Sequence, residues 1–299
     1  MAIMDENEIV KIRSALSRQP VLLSDGTALP RMGQGTWLIG DDSSKRNEEI
    51  RSIRLGVELG MNLIDTAEMY GEGNSELLVG EAIKGIRDDV FIVSKVYPHN
   101  AGINRIAKSC EASLKRLGTD RLDLYLLHWR GSIPLSETIE GMERLVQEGK
   151  IARWGVSNLD TADMKELLSY DKGAHCMTDQ VLYHLGSRGI EYDLLPLLKK
   201  HKIPVMAYCP LAQAGSLRRG LIDNKTVKAI ALKYNVTPYQ LLLAWCIREG
   251  DVIAIPKASS EEHVVDNAQA IFIELTEKDI ESLAAEFPKA SRKMALDIV

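Results

Sequence analysis

The sequence predicts an α/β fold, a closed (β/α)8 TIM barrel with an N-terminal β-hairpin and a C-terminal extra helix. Three observations carry this: eight short apolar runs, an amphipathic segment after each, and runs that are nearly continuously apolar rather than alternating. The runs are residues 32–36, 61–65, 90–94, 122–127, 151–156, 176–181, 204–208 and 252–255. Strands that alternate with helices must be parallel and joined by crossovers. A run such as Leu122-Asp123-Leu124-Tyr125-Leu126-Leu127 is what a strand covered on both faces requires.

In chain order, residues 1–20 form an N-terminal extension carrying Asp5, Glu6, Glu8, Lys11, Arg13 and Arg18, too charged for the apolar centre of a secretory signal. Residues 21–30 set Asp25-Gly26 between two apolar stretches, a hairpin signature. Helices are expected near 47–59, 75–85, 103–117, 136–148, 160–170, 190–201, 226–246 and 261–269, and a last one near 276–286. Leu114 with Leu117, and Leu195 with Leu198, show the spacing of a buried helix face. One domain over 1–299 is expected, with the barrel at 31–270 and a C-terminal helix and tail at 271–299. A doubly wound open sheet is the rival. It lacks its fingerprint here, because Gly33-Gln34-Gly35-Thr36-Trp37 lies within or at the end of a strand with no helix start beside it.

Composition narrows the function. The 299 residues are 45% hydrophobic and 26% charged, so a large core can be buried. The net charge of −5 comes from 37 basic and 42 acidic residues, and the basic ones are scattered, which argues against a nucleic-acid partner. Cys110, Cys176, Cys209 and Cys246 form no paired motif, and the six histidines show no ligand spacing, so neither a redox dithiol nor a metal is expected. No run of about 18 apolar residues exists to span a membrane, and a cytoplasmic location is expected.

Barrel chemistry gathers at the C-terminal strand ends. Those ends fall at Thr36 and Trp37, Asp65, Lys95, His128 and Trp129, Ser157 and Asn158, near Gln180, at Tyr208, and at Pro256 and Lys257. Any one of Asp65, Lys95 or His128 could be a solvated strand terminus, but they stand on three successive strands, with Tyr70 on the loop after Asp65. A phenol, an ammonium, a carboxylate and an imidazole in one pocket can give a proton to a carbonyl oxygen. A barrel lyase or isomerase using Lys95 as a Schiff-base amine is the alternative chemistry.

Asp65-Thr66-Ala67-x-x-Tyr70-Gly71, Ser94-Lys95, Leu127-His128-Trp129, Gly155-Val156-Ser157-Asn158 and Ile255-Pro256-Lys257, in that order, resemble the aldo-keto reductase family over about residues 21–285. The resemblance implies a catalytic tetrad of Asp65, Tyr70, Lys95 and His128 in an NADPH-dependent reductase of aldehydes and ketones, with NADH as the other cofactor. Tyr70 would be the general acid, Lys95 would stabilise its phenolate, Asp65 would hold the ammonium, and His128 would orient the substrate oxygen. It implies Ser157, Asn158 and Gln180 at the carboxamide, Tyr208 stacked on nicotinamide, and Gly35, Thr36 and Trp37 beside the cofactor. Cys209, Pro210 and Leu211 would lead the loop over the pyrophosphate, where Arg218 and Arg219 could reach phosphate.

Lys257, Ser259, Ser260, His263, Asp266 and Asn267 would meet the adenosine end. There this chain departs from the best-studied branch: Ala258 replaces a serine, His263 an arginine and Asp266 a glutamate, and a histidine offers no guanidinium fork to phosphate. Trp37, Tyr97 and Trp129 would line the pocket for small carbonyl compounds such as methylglyoxal, keto esters or sugar aldehydes. A cofactor-binding sensor of the same fold with weak turnover is the alternative from another class, and the sequence leaves the oligomeric state open, a monomer included.

Overall fold

The computed structural model describes residues 4–212 and 220–298. Strands β1 (Val21–Leu22) and β2 (Ala28–Leu29) pair antiparallel as the expected hairpin. Eight parallel strands follow in sequential order: β3 (Gln34–Gly35), β4 (Leu63–Asp65), β5 (Phe91–Val96), β6 (Leu124–Leu127), β7 (Trp154–Ser157), β8 (Cys176–Leu182), β9 (Val205–Tyr208) and β10 (Val252–Ala254). Bridges from Met32 to Ala254 and from Gly35 to Lys257 join the first strand to the last and close the barrel. Closure needs glycine at position 35, because a Cβ there would stand 2.7 Å from the Ile255 carbonyl oxygen.

The outer helices are α2 (Arg46–Glu58), α3 (Asn74–Ala82), α4 (Ile106–Leu117), α5 (Leu135–Gln147), α6 (Thr161–Leu168), α7 (Leu194–Lys200), α8 (Lys225–Tyr234), α9 (Pro238–Cys246) and α10 (Glu261–Gln269). The last, α11 (Glu277–Glu286), is the extra C-terminal helix. Leu117 and Leu198 are fully buried and Leu114 nearly so, as their spacing requires, while Leu195 is partly buried against the same core.

Two expectations need correction. Residues 226–246 are two helices, not one: Asn235 adopts a left-handed φ of 55° that ends α8, and Thr237 opens α9 with a capping box to Gln240 and Pro238 in its first turn. The apolar period runs on across that break, which hides it. The extension holds a helix, α1 (Glu6–Arg18), capped by Asp5 and burying Ile12 and Leu16.

Inside the barrel, alternate residues point inward and stack in layers. The hairpin's Val21, Leu23 and Leu29 pack with Leu63, Val93, Leu124, Leu126, Met206 and Ile253, so the N-terminal end is plugged with hydrocarbon. Two residues further along the same strands stand Asp65 after Leu63, Lys95 after Val93 and His128 after Leu126. Period-two geometry thus turns a stripe that is apolar below into a polar floor above.

Candidate active site

Lys95 is wholly buried, and its Nζ donates to Asp65 Oδ2 at 2.7 Å, the Thr66 carbonyl at 2.9 Å and Tyr70 Oη at 3.0 Å. An ammonium has three protons, and all three are engaged. Asp65's other oxygen accepts from Gln180 Nε2 at 2.7 Å, so the carboxylate is clasped from across the barrel. Hydroxyls fix the backbone around it: Thr36 Oγ1 donates to the Asp65 carbonyl at 2.9 Å and accepts from Ser75 Oγ at 2.7 Å. Tyr70 opens a tight turn in which Gly71 takes a φ of 54°, a left-handed conformation that favours glycine.

Burial sets the electrostatics. It pushes the Lys95 ammonium down and the Asp65 carboxyl up, and each partner's charge opposes that drift. Tyr70 is held well above the ordinary phenol value by burial first, then by the charges of Asp65 and Cys209. The sequence expectation stressed Lys95 lowering this phenol. In the structure burial outweighs that neighbour, and Tyr70 rests protonated with Lys95 Nζ 3.0 Å from its oxygen. His128 is pushed down to about 2, by burial and then by Lys95, so its ring is neutral. Its ring sits edge-on to Tyr70 at 5.8 Å, and its Nδ1 is buried with no hydrogen-bond partner among the described residues.

The polar floor opens into a cavity of about 560 Å3 at the C-terminal mouth. Tyr70 and His128 stand on its wall with Trp37 and Trp129, and Gly35 and Thr36 at one side. Ser157, Asn158, Gln180 and Tyr208 line a second side and are wired together: Ser157 Oγ donates to the Gln180 carbonyl at 2.8 Å and Tyr208 Oη to Asn158 Oδ1 at 2.8 Å. Asn158 takes a left-handed φ of 59°, which lets its amide Nδ2 reach the His128 carbonyl at 3.2 Å.

Cys209, Pro210 and Leu211 border the cavity on one side, and Lys257, Ser259 and His263 on another. Lys257 Nζ reaches Ser259 Oγ at 3.3 Å, forms no salt bridge among the described residues, and has its pKa lowered by burial. It sits next to the N-terminus of α10, where backbone N–H groups favour an anion.

Besides Lys95 beneath the floor, four residues singled out from sequence lie off the cavity wall. Ser260 is the N-cap of α10, accepting from the His263 N–H, while Asp266 and Asn267 lie further along that helix. Tyr97 is not among the residues lining the cavity; its ring lies edge-on to Trp129 at 5.9 Å. Arg218 and Arg219 lie outside the described residues. Sequence reasoning missed Leu38, Met69 and Ile298, which also border the cavity. Leu38 directly follows Trp37, and Met69 directly precedes Tyr70. Ile298 arrives from the C-terminal tail, and no local pattern marks it. Among the described residues no cluster of side chains suited to a metal occurs, and no helix is long and apolar enough to cross a membrane.

The sequence profile described as the aldo/keto reductase family matches residues 31–285, and the chain belongs to that family, the nicotinamide-dependent oxidoreductases of carbonyl compounds. The chain is 53% identical over 284 residues to the methylglyoxal reductase YeaE of Escherichia coli, covering 95% of this chain and 100% of the relative. It is 33% identical to the glyoxal reductase of Bacillus subtilis, covering 90% of this chain and 92% of that one. Among solved structures, an aldo/keto reductase from Klebsiella pneumoniae in complex with NADP and acetate superposes with a TM-score of 0.92 at 54% identity, covering 94% of this chain and 99% of that one.

Proposed function

We propose that this chain reduces small aldehydes and ketones, above all α-dicarbonyls such as methylglyoxal, with NADPH as the favoured cofactor and Tyr70 as the proton donor. The reading fits a cytoplasmic protein acting on a small molecule. The observation that carries it is the Tyr70–Lys95–Asp65 chain, linked at 3.0 and 2.7 Å beneath the cavity. The relatives' names support the substrate class.

Nicotinamide, when bound, supplies a hydride to the carbonyl carbon. Tyr70 gives its phenolic proton to the carbonyl oxygen as negative charge develops there. An alkoxide is a stronger base than a phenolate, so a phenol with a raised pKa still transfers its proton in this direction, and it stays loaded until the charge appears. Lys95 steadies the phenolate that results, Asp65 keeps Lys95 charged, and Gln180 keeps Asp65 in place. Neutral His128 directs a ring N–H at the same oxygen.

The residues on the other walls fit the cofactor. Asn158, Ser157 and Gln180 present amide and hydroxyl groups for a carboxamide, and the Tyr208 ring offers a flat face. Gly35, Thr36, Trp37, Cys209, Pro210 and Leu211 flank its length. Lys257, Ser259 and His263 would receive phosphate, with Ser260, Asp266 and Asn267 nearest the adenosine end.

Loss of absorbance at the dihydronicotinamide band with methylglyoxal tests the reading. The wild-type chain should turn over many times, with kcat/KM higher for NADPH than for NADH. Tyr70→Phe should lose about 10² to 10⁴ in rate while still binding NADPH. Equal activity of that variant would refute Tyr70 as the acid, and a single slow turnover by the wild type would mark a sensor instead.

A further inference from the structure

We propose that Glu68 is a positioning residue that locks the loop bearing Tyr70 to the aromatic wall of the substrate cavity. The proposal rests on the reductase reading above. Glu68 lies two residues before Tyr70, half-buried, and its carboxylate gathers donors from two other segments of the chain. Oε1 accepts from the Tyr97 backbone N–H at 2.7 Å and from Asn100 Nδ2 at 3.4 Å, and Oε2 accepts a short hydrogen bond from Ser109 Oγ on α4. An ionised carboxylate is acceptor-only, with room for several donors, and such charge-assisted bonds are the strong ones.

The consequence runs in two directions. Lys95 lies on β5 and Tyr97 just beyond it, so Glu68 ties the strand carrying the ammonium to the turn carrying the phenol. Nearer β4 the two are already joined through Asp65 and Thr66. Beyond Thr66 the loop meets β5 through the 3.0 Å contact of Lys95 with Tyr70 and a long backbone bond from the Glu68 N–H to the Lys95 carbonyl at 3.5 Å, and the Glu68 carboxylate adds a tie there. Tyr97 in turn stacks on His99 at 4.9 Å and meets Trp129 edge-on at 5.9 Å, while Trp129 leans on His128 at 4.9 Å. One carboxylate therefore braces both the acid and the ring that packs on Trp129 of the substrate wall.

The test compares Glu68→Ala and Glu68→Gln with the wild type on methylglyoxal, which is compact, and phenylglyoxal, which reaches the aromatic wall. Misplacement of about 1 Å costs about 10²-fold. Glu68→Ala should lose about that much kcat/KM on phenylglyoxal and about tenfold on methylglyoxal, with the Kd for NADPH within about twofold of wild type. Glutamine should restore part of both, because its carbonyl oxygen keeps the Tyr97 and Asn100 donors and its NH2 can donate to Ser109 Oγ. Amide hydrogen exchange over residues 97–100 should quicken in the alanine variant, whatever the activity.

Unchanged exchange, or an unchanged phenylglyoxal-to-methylglyoxal ratio in a folded Glu68→Ala protein, overturns the proposal. Should that variant not fold, Ser109→Ala removes one donor only. It should shift the same ratio by about threefold, and no shift is again a refutation. Failure of the reductase reading would look different, because the wild type would be inert on both substrates while the exchange experiment still reported on Glu68.

Discussion

The two ends of the barrel interior are built from the same strands and obey opposite rules. At the N-terminal end the hairpin drives Val21, Leu23 and Leu29 against Leu63, Leu124 and Ile253, all of them buried hydrocarbon. At the C-terminal end, two residues on, the strands carry a buried ion pair and a histidine whose Nδ1 has no partner among the described residues. Close packing at one end provides stability, and the rigid frame it makes lets the other end hold groups that burial penalises.

Substitutions at the two ends should separate stability from activity. The largest effect is expected at the mouth. Lys95→Met should lower kcat by about 10² or more, and the uncompensated buried Asp65 should also cost about 3–5 kcal/mol of stability. Stopped-flow kinetics with denaturant unfolding would show both losses together, and a stable, active Lys95→Met would erase the contrast. Leu124→Ala, in the plugged half, should cost about 2–5 kcal/mol while leaving kcat per folded molecule near wild type.

The smallest expected effect concerns protons. His128 is pushed down to about 2 and His184 to about 4, both mainly by burial. Both bind protons more readily in the unfolded chain, so their contribution is complete above pH 6.5 and is lost as pH falls below it. The loss should reach at most about 2 kcal/mol per histidine at pH 5. Urea midpoints at pH 7.5 and pH 5 measure it. His184→Asn should remove one share of the difference, and an identical pH dependence would disprove its part. Tyr70's raised value carries the opposite sign for activity: the proton-loaded form persists as pH rises, so kcat/KM should not decline between pH 6 and 9.

Sequence revealed one end of the barrel better than the other. Asp65, Lys95 and His128 were legible because each interrupts an apolar run at its final inward position, an anomaly that one strand suffices to show. The clasp of Gln180 on Asp65 spans 115 residues of chain, and the carboxylate of Glu68 gathers its donors from 29 to 41 residues away. Neither leaves a local pattern. The α1 helix was overlooked although Ile9, Ile12 and Leu16 sit at helical spacing behind Asp5, because charge dominates that segment. Its place in the chain puts Tyr97 near the pocket, but in the structure Trp129 lines the cavity and Tyr97 only meets that ring edge-on.

Lys95 donates at once to a carboxylate, a backbone carbonyl and a phenol, and that saturation reaches beyond proton transfer. Forming an imine requires a free lone pair on nitrogen, and an amine pinned by three acceptors has none to offer, which also speaks against Schiff-base chemistry at this site. Buried beneath the cavity floor with every proton engaged, Lys95 is held as a fixed charge and presents no nucleophile to a carbonyl carbon above it.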